Sequence, residues 1–323
     1  MTKLIVDLDK SVQQHHAIFV PNKIISFMRV FVTGATGFIG TAIVQELLVS
    51  GHQVLGLARS DASAQKLIEA GAEVHRGDLE DLESLRSGAA AADAVIHAGF
   101  IHDFTRFAEV CEVDKAAIKA IGDVLVGSDR PFIVTSGTAL ISPGILVTED
   151  IIPPFNPAWP RASEQIADAV ATMGVVSSVV RLSPSVHGQD DKHGFIPILV
   201  NIAKEKGVSA YVGDGQNRWN AVHRLDAATL FRLALEHATP RARFHATAEE
   251  AITVRSIAEA IGTQLNLPVV SVPQESAVEH FGWFAQMAMI DCPASSAWTK
   301  QQVNWEPKNP TLLNDIENGI YNL

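Results

Sequence analysis

Residues 28–40, MRVFVTGATGFIG, constrain this chain more than any other stretch. The apolar run RVFV reads as a buried strand. Glycines at 34, 37 and 40 interrupt it, and Ile39, Ile43, Val44, Leu47 and Leu48 then recur on one face of a helix that Gly51 stops. Glycine permits a tight turn and a close approach of the backbone to a ligand. The helix N-terminus beyond it offers free N–H groups and a partial positive charge. A strand–turn–helix of this kind is suited to hold a pyrophosphate, with Gly34, Thr36, Gly37, Phe38, Ile39 and Gly40 as the candidate contacts.

The segments that follow supply the sheet such a turn needs. QVLGLAR, AEVHRGD, DAVIHAG and PFIVTSG read as four further strands, with helical segments at about 61–70, 80–90 and 103–127 between them. A helix opening near Pro160, with Ala162, Ile166, Ala169 and Val170 as its apolar stripe, leads to a sixth strand, VSSVVRLS. Right-handed crossovers at each step give an α/β fold, a Rossmann-type doubly wound parallel sheet. After Val186 the alternation breaks. Gly, Pro, Asp and Asn cluster at 187–194 and 211–220 around a helix near 195–206. A strand near RARFHAT and helices near 253–265 and 311–321 follow. The expected division is an N-terminal extension (1–27), a dinucleotide-binding domain (28–186) and a smaller, partly interleaved C-terminal substrate lobe (187–323), of which about 222–247 returns to the sheet.

Composition narrows the setting. The net charge of −11 argues against nucleic acid or an anionic membrane surface as partner. No run approaches the roughly 18 apolar residues of a membrane helix. Asp7 and Asp9 stand where a signal peptide would be basic, so residues 1–27 read as an extension or an upstream start. Cys111 and Cys292 imply no disulfide framework, which fits a cytoplasmic protein. No metal is expected.

The end of the second strand selects the cofactor. An acidic residue there would bind the ribose 2′-OH of NAD; the chain instead has Ala58, Arg59 and Ser60, which suits the 2′-phosphate of NADP. Asp61 reads either as a helix cap or as a ribose ligand, so NAD stays open. Asp78 reads as a partner for the adenine amino group or as a solvated loop carboxylate. Leu79, His97, Ala98 and Gly99, after the third and fourth strands, complete the candidate cofactor contacts.

The glycine spacing G-x-x-G-x-x-G, RGDL, VIHAG, VTSGT, VVRLSPSVHG and AVHRLDAATL, in that order, resemble the extended branch of the short-chain dehydrogenase/reductase superfamily, the NAD-dependent epimerase/dehydratase type. The resemblance implies a serine at the end of the fifth strand that orients a substrate carbonyl. It also implies a Tyr-x-x-x-Lys pair on the next helix for proton transfer. Here that pattern is best placed on Pro160-Arg161-Ala162-Ser163-Glu164, with proline for tyrosine and glutamate for lysine. Neither Tyr211 nor Tyr321 begins such a motif.

Ser136 and Thr138 are the candidates for the serine. His97, His102 (beside Asp103) and His187 are candidates to exchange the proton. His223 reads as structural beside Asp226. Arg161 and Glu164 could bind a substrate anion or pair with each other. Arg218 and Trp219 fall on a substrate loop by resemblance.

The leading reading is an NADP-dependent oxidoreductase acting on a small carbonyl or alcohol through a proton donor other than tyrosine. The alternatives are a nucleotide-sugar-type epimerase or isomerase and a non-catalytic NADP-binding sensor. The resemblance also implies a homodimer through the helices at about 103–127 and 160–173.

Overall fold

Val30, Phe31 and Val32 are all fully buried in the first strand, β1 (Arg29–Thr33). A strand apolar on both faces belongs inside a sheet covered by helices. The computed structural model, which describes residues 27–139, 141–154, 156 and 160–321, places it there. The expected extension, apart from Phe27, and residues 157–159 lie outside the described residues.

β1 is followed by α1 (Phe38–Val49), β2 (Gln53–Ala58), α2 (Asp61–Glu69), β3 (Glu73–Arg76), α3 (Leu82–Ala90) and β4 (Ala94–His97). Then come α4 (Phe107–Leu125), β5 (Pro131–Gly137), α5 (Ser163–Thr172) and β6 (Val176–Leu182). These strands run parallel. With a late arrival at Arg243–Ala246 beside β6 they make a seven-stranded sheet among the described residues. Val30 and Val32 face one core, with α1; Phe31 faces the other, with α3, α4 and α5. The expected α/β doubly wound sheet with a smaller lobe is the observed architecture.

The lobe begins with β7 (Ser185–His187), α6 (Phe195–Lys206), β8 (Ser209–Val212) and β9 (Arg218–His223). The chain then returns to the main sheet through α7 (Arg224–His237), which lies against α1, and β10 (Arg243–Ala246). β11 (Glu249–Thr253), α8 (Val254–Leu265), β12 (Val269–Val272), α9 (Ala277–Phe281), α10 (Ala285–Met289), α11 (Ala297–Val303) and α12 (Leu312–Glu317) complete it. Its small sheets are β11-β9-β7 and β12-β8. Trp219 fills its core against Phe195 and Phe284, so it is a packing residue and not part of a substrate loop.

Two helix expectations change. α5 starts at Ser163, because Ala162 is off-helix at φ −125°, ψ 31°; Pro160 lies before the first turn. Its buried side is Ser163, Glu164, Ala167 and Val170, and Ala169 is exposed. The long helix expected from 103 opens as a 3-10 turn at Phe104–Arg106, capped by Asp103, and becomes α-helical at Phe107.

Candidate active site

The glycine turn is built by close backbone packing. Gly34 has φ +67°, and a Cβ there would stand 2.7 Å from the backbone of Ala98 and Gly99. At Gly40 a Cβ would fall 1.9 Å from the Gly34 carbonyl oxygen. The turn therefore rests on the end of β4. Gly37 caps α1 in an extended conformation, with no side chain closing over the helix end and no acidic residue in its first turn. Thr36, Phe38 and Ile39 line the lip, partly exposed, and the Arg224 guanidinium lies 5.2 Å over the Phe38 ring. This cradle fits the pyrophosphate of a dinucleotide.

At the far end of β2, Arg59 is mostly exposed, its Nε 3.8 Å from Asp78. Ser60 caps α2, accepting from the Ser63 amide at 3.2 Å. Asp61 is drawn away to Arg76, at 2.5 Å. Arg76, opposite Ala58 in the β2–β3 register, brings a second guanidinium that the sequence reading passed over. Asp78 accepts from the Glu80 amide and stays at the rim. Leu79 lies against Gly99, its Cδ1 3.2 Å from where a Cβ there would stand.

The ends of β4 and β5 hold the expected reacting groups, and these divide. Ser136 is half-buried and donates to Glu164 at 2.8 Å. Glu164 does not pair with Arg161. It receives Arg181 Nε at 2.9 Å and an Arg181 terminal nitrogen at 2.7 Å, and Arg243 Nε at 3.2 Å. Burial pushes its carboxyl up, but Arg181, Ser136 and Arg243 together hold it below the usual value. A glutamate so placed is part of the support beneath β5 and β6, not a substitute for a lysine in the cleft.

Thr138 is buried at 1% exposure and donates to the Leu182 carbonyl and Asn220. His187 is fully buried, with Nδ1 2.6 Å from Asp315, so neither it nor Thr138 reaches the cleft. His223 caps α7 and faces Asp315, while Asp226 binds the amides of Lys308 and Asn309. Arg218 is held by both oxygens of Asp291, at 2.9 and 2.8 Å.

His102 stays on the surface of the cleft, edge-on to Phe100 at 5.5 Å. Desolvation first, then the charge of Arg161, hold its imidazole below the ordinary histidine value. Asp103 accepts from the backbone and hydroxyl of Thr105, so it is not the carboxylate that orients His102.

A buried chain of hydrogen bonds joins the glycine turn to Arg161. The Gly99 amide donates to Thr33 Oγ1 at 3.1 Å, and Thr33 meets His97 Nδ1 at 2.9 Å. His97 Nε2 lies 3.2 Å from Asp114 Oδ1, while Ser163 donates to Oδ2 at 2.6 Å and Arg161 Nε donates to Ser163 at 3.1 Å. Asp114 is 4% exposed. Its burial is outweighed by His97, Arg161 and Ser163, which leave its pKa below the usual value.

An ionised Asp114 accepts at both oxygens, so His97 donates to it from Nε2. His97 therefore acts from behind the turn, through its imidazole. Asp114 was legible as a carboxylate inside the apolar stripe Val110, Cys111, Ala117 and Ile118.

Residues 30–245 match the model of the NAD-dependent epimerase/dehydratase family. An uncharacterized protein of Schizosaccharomyces pombe is 48% identical over 91% of this chain and 100% of its own length. The sterol-4-alpha-carboxylate 3-dehydrogenase (decarboxylating) of Dictyostelium discoideum is 28% identical over 70% of this chain and 73% of its own. A double mutant of the dTDP-glucose 4,6-dehydratase of Streptomyces venezuelae, solved with NAD, superposes with a TM-score of 0.71 at 20% identity, covering 91% of this chain and 96% of that one. That last likeness is one of fold.

Proposed function

The chain belongs to the NAD-dependent epimerase/dehydratase family, and from that premise we propose that it is an NADP-dependent oxidoreductase acting on a small carbonyl or alcohol, with a proton donor other than tyrosine. The observation that carries this reading is the open glycine cradle of Gly34, Gly37 and Gly40, complete although the acid/base pair is gone. When bound, the nicotinamide supplies the hydride chemistry, and the protein binds, aligns and excludes water. Ser136 is held at the end of β5 by the hydrogen bond it donates to Glu164, so it lines the substrate side of the cofactor without taking the proton. His102, neutral near pH 7, takes the proton in the oxidising direction. General acid–base catalysis contributes roughly 10²–10⁴-fold, so losing tyrosine slows such a reaction without forbidding it.

Arg59 and Arg76 support NADP over NAD, because they offer two guanidiniums beside the expected 2′-phosphate while Asp61 is occupied by Arg76. The test is a titration with NADPH and NADH, read by energy transfer from tryptophan. Arg59→Ala is expected to weaken NADPH at least tenfold and leave NADH unchanged. An equal effect on both cofactors, or binding of neither in the wild type, defeats the reading.

The missing pair favours a second reading, a non-catalytic NADP-binding protein; tight NADPH binding with no turnover of any carbonyl selects it. Two buried free thiols fit a cytoplasmic location. The outward faces of α4 and α5, away from the sheet, are the proposed homodimer contact.

A further inference from the structure

We propose that the substrate is a carboxylate, an oxo acid or the corresponding hydroxy acid, and that Arg161 binds its carboxylate; this rests on the oxidoreductase reading above. Arg161 is half-buried, with its guanidinium 4.2 Å over the Phe100 ring. Nε is committed to Ser163, and one terminal nitrogen reaches the Thr135 carbonyl only at 3.4 Å. Asp114 lies within its electrostatic reach, but behind Ser163 and with both oxygens already used.

The neighbouring arginines are differently placed. Arg181 and Arg243 share Glu164, Arg243 adds Asp168, and Arg218 holds Asp291. On the cleft side, Arg161 lies within electrostatic reach of His102, which the loop before α6 also approaches through His193.

Taking a guanidinium partly out of water is unfavourable unless an anion or good acceptors meet it. The aromatic face beneath fixes its plane, and the edge left over is a planar fork, the geometry that pairs two nitrogens with two carboxylate oxygens. The buried chain through Ser163, Asp114, His97 and Thr33 to the Gly99 amide sets this fork at a fixed place relative to the cofactor turn. A diphosphate, as in a nucleotide sugar, would call for further cations from the lobe, and Arg218 is closed by Asp291. The arrangement favours one carboxylate beside the reacting carbon.

The experiment compares short 2-oxo and 3-oxo acids with their methyl esters on the NADPH-saturated protein, by the change in nicotinamide fluorescence and by turnover. The acids are expected to bind at least tenfold more tightly than the esters. Arg161→Gln should erase that preference while NADPH binds as in the wild type, and Arg161→Lys should keep part of it. Equal binding of acids and esters, binding of neither, unchanged acid preference in Arg161→Gln, or competition by a nucleotide sugar but by no acid overturns the proposal. The wild-type comparison needs no variant to fold. If NADPH itself fails to bind, the oxidoreductase reading falls; if NADPH binds without acid preference, only this inference does.

Discussion

Glu164 shows how a single side chain can occupy a motif's place in the sequence and another place in space. Its carboxylate is the counter-charge of two buried guanidiniums, and Ser136 hangs on the same oxygen as Arg181. Restoring the lysine by Glu164→Lys would bring a third cation against Arg181 and Arg243. The expected outcome is loss of folded protein and no gain of activity. Glu164→Gln keeps the shape but leaves Arg181 with the Ile151 carbonyl and without its carboxylate, while Arg243 retains Asp168. Breaking a buried pair in this way costs about 3–5 kcal/mol, measurable by urea denaturation. A folded and active Glu164→Lys protein would show that the side chain turns into the cleft after all. The sequence could not disclose this, because Arg181 and Arg243 lie 17 and 79 residues away along the chain.

The β1–turn–α1 element separates two functions of glycine that its sequence presents as one spacing. A methyl at Gly40 would press on the backbone of Gly34, which cannot yield without opening the turn. Gly37 is extended at φ −77°, and its added methyl would stand 3.2 Å from the Gly34 oxygen, a contact relieved by a small shift. Gly40→Ala is therefore expected to lose about 1–3 kcal/mol of stability and cofactor binding together. Gly37→Ala should melt near the wild type yet bind NADPH at least tenfold more weakly, since the methyl stands where a phosphate approaches. Equal melting losses in the two variants would refute the distinction. This element was legible because strand, turn and helix signals are adjacent in sequence. The short strands β7, β8, β9, β11 and β12 were not, since they lie outside the strand–helix alternation and take their register from partners distant in sequence. The start of α5 was misjudged for a related reason: the hydroxyl of Ser163 is fixed by Asp114, 49 residues earlier.

At the scale of the whole molecule, the sheet and the C-terminal segment are joined at His245. This residue lies on β10, the edge strand, and is fully buried. Its amide donates to Thr299 Oγ1 at 2.8 Å, and Thr299 in turn donates to Glu149, so three remote segments meet there. Nδ1 lies 2.7 Å from the Ser295 carbonyl and Nε2 3.0 Å from an Arg181 nitrogen. A carbonyl can only accept and a guanidinium can only donate, so the ring must be neutral with its proton on Nδ1. Burial first, and then the charge of Arg181, lower its pKa to about 4. The unfolded chain, with an ordinary histidine, takes up the proton first as pH falls below about 6.5. The stabilisation from this neutral ring is full above that pH, erodes as pH drops, and is spent near pH 4. At about 1.4 kcal/mol per pKa unit the loss attributable to His245 is about 3 kcal/mol. Carboxylates titrate in part of the same range, so the measurement is a difference: urea stability of wild type and His245→Gln, which keeps an acceptor for Arg181, at intervals from pH 7.5 to 4. The wild-type advantage should be constant above pH 6.5 and shrink or reverse toward pH 4. A gap that stays constant over the whole range would mean that the ring takes up its proton at the same pH folded and unfolded, and that Arg181 does not meet it as a donor.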